Sequence, residues 1–311
     1  MFIRPLDLLD LPFLSRYRGE ALSLNSARFL TRGNPLQARA LLEYLDPRQH
    51  IYTAVAAENS NRLIGQIALQ AEEPSARLMF LAPAEHLEIL ALPLLEHLVA
   101  QAGEWGALYV TAEVEEDSRL LQVFRRSGFA LYAWQRVWKL PVGGSPAPSL
   151  WRVAEETDWT LIQSLHAQIV PALLQSVDGP PKMSQGLVSI EEGEATAYVA
   201  VMSGRTGVWL QPLISPDCAG ATRYLSALRM VFKGNVPVYV CVRSYQAWLE
   251  ATLEEIGAEA GARQAVMVKR LAVALPESQS VPSLEKVLAR AKPAAPMSHL
   301  KPTTTSKFDR A

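Results

Sequence analysis

The chain has 311 residues, of which 49% are hydrophobic and 20% are charged, and its formal net charge is −1. This length exceeds what one hydrophobic core usually supports, so two domains are expected, and the near-neutral charge gives no electrostatic case for binding nucleic acid. Two cysteines do not make a disulfide framework, and no apolar run approaches the ~18 residues that a membrane helix requires. We therefore expect a cytoplasmic protein without a nucleic-acid or membrane partner.

The first 140 residues predict a mixed order of strands and helices. Period-two alternation and short apolar runs mark strands, whereas a 3.6-residue period ending at Gly or Pro marks helices. The predicted strands are Ile3–Leu6, Ile51–Ala57, Leu63–Gln70, Arg77–Leu81, Ala107–Ala112 and Leu131–Leu140. The predicted helices are Asp7–Arg18, Ala21–Leu45 with a break at Gly33–Pro35, Pro93–Ala102 and Ser118–Arg126.

A stretch rich in Gly, Pro and Ser, at residues 141–150, predicts a linker. After it the pattern begins again. Residues 3–14 align without gaps with residues 151–162, which places Arg4 at Arg152 and Asp10 at Asp158. We therefore expect two copies of one mixed α/β unit, at residues 1–140 and 151–274.

The second unit and the tail complete the chain. The predicted elements are strands Tyr198–Met202 and Gly207–Ile214, helix Ala221–Phe232, strand Pro237–Arg243, helix Gln246–Ile256 and strand Gln264–Val273. Residues 275–311 carry six Lys or Arg against three acids, a net charge of +3, and are rich in Pro and Ser. This composition predicts a disordered basic tail. Four tryptophans near the linker are expected to pack between the halves: Trp134, Trp138, Trp151 and Trp159.

The order of elements and the helix that ends at Arg125-Arg126-Ser127-Gly128-Phe129 carry a family resemblance. Each half resembles the GNAT superfamily of N-acetyltransferases, over nearly all of residues 1–273. The resemblance implies two tandem GNAT-like domains and acyl transfer from acetyl-CoA to an amine. It also implies a splayed strand, followed by a loop of pattern Gln/Arg-x-x-Gly-x-Gly/Ala that opens a helix and holds the cofactor's pyrophosphate. Unpaired backbone N–H groups at a helix start suit such an anion.

The first half departs from this loop pattern. Its glycine positions fall on Ile89 and Ala91, and its Gln/Arg position falls on His86. Pro93 would remove an N–H from the first turn of the predicted helix. Two nearby carboxylates, Glu85 and Glu88, would repel a pyrophosphate. An ordinary structural helix start is expected here.

The second half keeps more of the pattern. Gly220 occupies one glycine position, Thr222 takes the other, and Arg223 adds a cation in the first turn. Any acetyl-CoA is therefore expected to bind this half, although an ordinary helix entry with a solvated arginine explains the same residues. The candidate cofactor-binding residues are Ile214, Ser215, Ala219, Gly220, Ala221, Thr222 and Arg223.

The acid and base that acetyl transfer requires are not recognisable. The family's tyrosine position falls on Phe124 in one half and Leu253 in the other, and the splayed strands hold no carboxylate. Glu113 and Tyr132 are candidate substitutes, against ordinary roles as a surface acid and a half-buried aromatic. The five histidines have no metal-ligand spacing.

Two functions therefore stay open. One is an acyl-CoA-dependent N-acyltransferase whose amine acceptor, a small molecule or a protein, is unidentified. The other is a non-catalytic tandem GNAT-like binding protein that has lost acetyl-CoA chemistry.

Overall fold

The computed structural model describes residues 1–271 apart from 8–9, 11–13, 15, 18, 37–48, 72, 143–149, 181–185, 219 and 233–235. The first half contains strands β1 (Phe2–Pro5), β2 (Leu22–Ser23), β3 (Gln49–Glu58), β4 (Asn61–Gln70), β5 (Ser75–Ala82), β6 (Tyr109–Glu115) and β7 (Ala130–Lys139). The second half contains β8 (Arg152–Val153), β9 (Gly186–Glu191), β10 (Glu194–Ser203), β11 (Val208–Ile214), β12 (Val238–Arg243) and β13 (Glu259–Arg270). The α-helices of the described residues are α1 (Ser26–Arg32), α2 (Leu87–Glu104), α3 (Leu120–Arg126), α4 (Trp159–Ile169), α5 (Ala221–Val231) and α6 (Trp248–Glu255).

All the strands belong to one continuous sheet, in which the two halves exchange their last strands. The order is β1-β3-β4-β5-β6-β13-β7-β12-β11-β10-β9-β8, and β2 lies beside β5. Strand β13 of the second half pairs with β6 of the first, while β7 of the first half pairs with β12 of the second. The two exchanged strands also pair with each other. Met1–Val273 accordingly forms one compact unit.

The exchanged strand β7 places a large side chain of the first half in the core of the second. Trp138 is 1% exposed and packs in the cluster formed by α5, α6 and the strands beneath them. Burying ~150–250 Å² of an aromatic ring at ~25 cal/mol/Å² contributes about 4–6 kcal/mol as an upper bound. The halves are therefore joined by hydrophobic burial as well as by strand pairing.

The sequence predicted that the four tryptophans pack together between the halves. They do not form one such cluster. Trp138 and Trp151 lie in the second half's core, and Trp134 packs against the first half's core. Trp159, the first residue of α4, packs against a separate cluster between α4 and the sheet. The physical reason is that β7 runs from one half into the other, so its two tryptophans reach different cores.

Each half contains the same arginine–aspartate ion pair at its start. Arg4 donates two hydrogen bonds to Asp10, at 2.7 and 2.8 Å, and Arg152 donates two to Asp158, both at 2.6 Å. Each aspartate also accepts from a backbone N–H three residues earlier, at 2.9 and 2.8 Å. These contacts confirm the alignment of the two halves that the sequence predicted.

Several predicted boundaries were wrong. The helix predicted over Ala21–Leu45 contains β2 and then α1, because Asn25 caps a new helix by accepting from the Arg28 N–H at 3.0 Å. The helix predicted to begin near Pro93 begins at Leu87 and contains this proline. Strand β9 was not predicted, and β13 begins five residues earlier than expected.

Other predictions lie outside the described residues. They are most of the helix over 7–18, residues 37–45, most of the linker and the whole tail at 275–311. Among the described residues, no helix has the length and apolar character needed to cross a membrane.

Candidate functional site

The parallel strands of the second half, β11 and β12, separate partway along their length. They pair from Val208↔Val238 to Leu210↔Val240, after which β11 continues to Ile214 paired only with β10 on its other side. The side chain of Gln246 lies in the gap and is only 2% exposed. Its Oε1 accepts from the Ile214 N–H at 3.1 Å, and its Nε2 donates to the Pro212 carbonyl at 2.9 Å. One glutamine amide thus replaces the missing neighbour of β11.

The corresponding gap in the first half is filled by the chain itself. Strands β5 and β6 pair from Ser75↔Tyr109 to Arg77↔Thr111 and then diverge. Strand β2 enters beside β5, and the Leu24 N–H donates to the Met79 carbonyl at 2.9 Å. The Leu24 carbonyl in turn accepts from the Glu113 N–H on the opposite strand, also at 2.9 Å. The segment at 22–24 therefore bridges both sides of the gap.

Filling the gaps matters because splayed strands expose backbone donors and acceptors. Such groups are nearly always paired when buried, and a ligand that carries amides can pair with them as an added strand does. The Ile214 N–H and Pro212 carbonyl in one gap, and the Met79 carbonyl and Glu113 N–H in the other, are already bonded within the chain.

The candidate cofactor residues of the second half surround the start of α5. Gly220 is the N-cap and Ala221 is buried, while Ile214 ends β11 and Ser215 follows it. Ala219 lies outside the described residues. Thr222 donates to the Glu255 carboxylate at 3.4 Å. The structure thus brings the described members together at one helix start.

A carboxylate already occupies the neighbourhood of that helix start. Arg223 donates to Glu191 at 2.9 Å, and the Tyr224 hydroxyl donates to the same oxygen at 2.8 Å. The cation expected to attract a pyrophosphate is therefore neutralised by Glu191, which would itself repel an anion.

The first half offers no better binding site for a pyrophosphate. Because α2 begins at Leu87, Ala91 lies inside the helix and is buried, where its N–H belongs to the helix ladder. Ile89 is 53% exposed, and Glu88 pairs with Arg119 at 3.1 Å on the surface.

Phe124 and Leu253, at the family's tyrosine positions, are both fully buried in hydrophobic cores. Glu113 accepts from the Ser26 N–H at 2.6 Å and so stabilises the start of α1. Burial, and then the nearby Asp178 carboxylate, raise the pKa of Tyr132 well above its usual value, so this phenol is protonated at neutral pH. Neither candidate substitute is therefore a free base.

Glu113 and Tyr132 nevertheless line one cavity of about 240 Å³, in the middle of the sheet. We call it the central cavity. Its walls come from both halves, and its polar lining includes Ser75, Glu113, Tyr132, Asp178 and Arg243. It adjoins a larger opening of about 520 Å³ that shares Ser75, Arg77 and Asp178.

Sequence reasoning did not single out Ser75, Asp178 or Arg243. Arg243 ends an otherwise apolar strand, which was the one available signal, but many surface strands end in a charged residue. Only the strand exchange brings these three positions to one place. The aspartate is held by its neighbours, since its Oδ2 accepts from the Tyr245 hydroxyl at 2.8 Å and its backbone carbonyl lies 2.8 Å from His166 Nε2.

The charged groups of the cavity influence one another. Burial opposes the charge on Arg243, but the Asp178 carboxylate and weaker neighbours outweigh that effect and raise the pKa of the guanidinium. Burial, followed by the Asp178 charge, likewise raises the pKa of Tyr245. At neutral pH a charged Arg243 and a neutral Tyr132 therefore line the cavity, and the neutral Tyr245 lines the adjoining opening.

Comparison with solved structures identifies the fold. No protein-family model matches the sequence, and no curated protein sequence matches it significantly. The structure is similar to a tandem GNAT protein from the clavulanic acid biosynthesis pathway, with a TM-score of 0.51 and 13% identity over 86% of this chain and 98% of that one. It is also similar to a GCN5-related N-acetyltransferase from Sphaerobacter thermophilus, with a TM-score of 0.52 and 14% identity over 88% and 97% of the two chains.

At these identities the likeness shows the fold. The chain has the tandem GNAT fold, as its sequence predicted, with two acetyltransferase-like halves in one mixed α/β sheet.

Proposed function

We propose that this chain is a non-catalytic tandem GNAT-like protein, which binds a ligand in its central cavity and does not use acetyl-CoA. The observation that carries the proposal is that both strand gaps are filled from within the chain. Gln246 satisfies β11 in one gap, and residues 22–24 bridge the other. The residues present therefore do not fit the cofactor that the fold implies.

The electrostatics of the helix starts support the same proposal. Arg223 is paired with Glu191, and Glu88 stands in the first turn of α2. A pyrophosphate at either position would meet a carboxylate, and the Arg223 guanidinium beside α5 is already paired.

Calorimetric titration with acetyl-CoA tests the proposal. We expect no saturable heat for the unmodified protein at about 1 mM ligand. This concentration would reveal any complex with a Kd of about 1 mM or tighter, which corresponds to a binding free energy of about −4 kcal/mol. Saturable binding that Arg223→Glu abolishes and Glu88→Lys leaves unchanged would overturn it, because that pattern places the cofactor at α5.

The second candidate function is an N-acyltransferase that acetylates an unidentified amine. It is favoured by Gly220 at the start of α5, where no side chain of the described residues caps the helix, and by the acetyltransferase fold. Acetyl-CoA hydrolysis or transfer to an amine, lost in the Arg223→Glu variant, would establish it.

A further inference from the structure

The central cavity contains an arginine whose hydrogen-bonding needs are not met. Arg243 as a whole is partly exposed to solvent, but the Nε and Nη1 atoms of its guanidinium group are buried. Neither nitrogen has a hydrogen-bond partner within the described part of the chain. Buried polar groups without partners are rare in native proteins, and they mark places where a ligand or ordered water completes a site.

A second residue lining the same cavity also has a buried polar atom without a hydrogen-bond partner among the described residues. The Ser75 hydroxyl is buried and has no partner among the described residues. It lies on β5 of the first half, whereas Arg243 lies on β12 of the second, and both line the central cavity. Two residues with unpaired buried polar atoms, one from each half, thus line the same cavity.

The cavity is also lined by two carboxylates that can accept further hydrogen bonds. Asp178 accepts from the Tyr245 hydroxyl and Glu113 accepts from the Ser26 N–H. A carboxylate can accept about four hydrogen bonds, so each has room for a further donor. The remaining lining cation, Arg77, pairs with Glu73 at 3.0 Å and adds little net charge.

This balance of charges selects the ligand. A simple anion would give Arg243 a hydrogen-bond acceptor but would meet two carboxylates. A simple cation would satisfy those carboxylates but leave the Nε and Nη1 groups of Arg243 without acceptors. A ligand with one carboxylate and one ammonium group satisfies both sides. The volume of about 240 Å³ lies below the ~300–1,000 Å³ of common ligand pockets, so the ligand is small.

We propose that the central cavity binds a small zwitterion of the α-amino acid type, whose carboxylate is held by Arg243 and whose ammonium group is held by Asp178 and Glu113. This inference rests on the proposed binding function and names its ligand class. The site requires both halves, because its carboxylate-binding residue is on β12 and one ammonium-binding residue is on β6.

The test is a titration of the full chain with each of the common α-amino acids in turn, followed by calorimetry and by thermal unfolding. We expect at least one amino acid to bind saturably and raise the melting temperature. Acetate and methylamine, which each carry only one of the two charges, should bind far more weakly.

Variants locate the binding. Arg243→Gln should weaken the affinity for that amino acid roughly tenfold or more, because a charge-assisted contact is lost. Asp178→Asn should weaken it too, while Arg126→Gln, at an exposed position on α3, should leave it unchanged. If Arg243→Gln does not fold, the comparison of amino acid, acetate and methylamine on the unmodified protein decides the matter.

The outcomes separate this inference from the proposed function. Absence of binding by every amino acid, or equal binding of acetate alone, would overturn the zwitterion site. Amino-acid binding together with Arg223-dependent acetyl-CoA binding would leave the site standing and overturn the non-catalytic function.

Discussion

The side-chain oxygen of Gln246 accepts a hydrogen bond from the backbone N–H of Ile214 at 3.1 Å, where β12 no longer pairs with β11. The same side chain donates to the Pro212 carbonyl, so one buried amide satisfies two backbone groups. A glutamine whose main partner is a strand edge has a structural role that can be measured directly.

Gln246→Ala should destabilise the protein by about 1–3 kcal/mol, the usual cost of leaving buried backbone groups unpaired. Urea unfolding followed by circular dichroism measures the change. Gln168→Ala, at an exposed position on α4, is the matched control and should have little effect. A Gln246→Ala variant as stable as the parent would mean that water satisfies β11 equally well.

The exchanged strands make the two halves interdependent. Expressed separately, chains 1–140 and 151–273 should each unfold without cooperativity, because each lacks a central strand that the other supplies. Mixing them should restore a cooperative transition and a single complex in gel filtration. Two halves that are each cooperative and do not associate would contradict the exchange.

The paired aspartates predict a loss of stability in acid. Hydrogen bonding to the partner arginine lowers the pKa of Asp10 and of Asp158, although burial opposes the shift. Because the folded-state pKa is depressed, the stabilisation is present above the unfolded-state value of about 3.9 and is lost as the pH falls through the folded-state value. The urea midpoint should therefore decrease below about pH 4.

The paired variants provide the control for this pH dependence. Asp10→Asn and Asp158→Asn should each flatten part of the acid decrease, whereas Asp117→Asn, at an exposed turn, should not. An unchanged acid profile in both variants would show that other carboxylates dominate.

Gly204 fits closely against the end of α1. The Thr206 N–H and hydroxyl donate to the Thr31 and Leu30 carbonyls at 3.0 and 2.8 Å, which satisfies the last turn of the helix from the other half. A Cβ at position 204 would overlap the Thr31 backbone, so Gly204→Ala should cost about 1–3 kcal/mol. Thermal unfolding tests this, with Gly19→Ala as control, since a Cβ at Gly19 would meet no atom of the described residues within 4 Å. Equal stability of the two variants would show that the hairpin moves aside freely.

The two cysteines should differ in reactivity. Cys241 is fully buried, and burial raises its pKa to about 12, whereas Cys218 is only partly buried. Because thiolates are the reactive form, an aromatic disulfide reagent should modify one thiol per native chain and two in urea. Cys218→Ser should abolish the native reaction. Rapid reaction of both thiols in the native protein would contradict the burial of Cys241.

The sequence by itself determined the features that short windows of residues encode. Hydrophobic periodicity gave most strands and helices, and the pairing of Arg4 with Asp10 and of Arg152 with Asp158 spans only six residues, so the repeat could be read directly. The departures from the cofactor loop at Ile89 and Ala91 were equally local.

Only the tertiary structure decided what fills the gaps and what lines the centre. Gln246 lies 32 residues from Ile214, and the Ser26 hydroxyl donates to Gln264 across 238 residues. No periodic pattern specifies such pairs, because they depend on which strand each half donates to the other. The strand exchange brings Ser75, Asp178 and Arg243 to one cavity, since pairing of β7 and β13 satisfies backbone groups that each half would otherwise leave exposed at its edge.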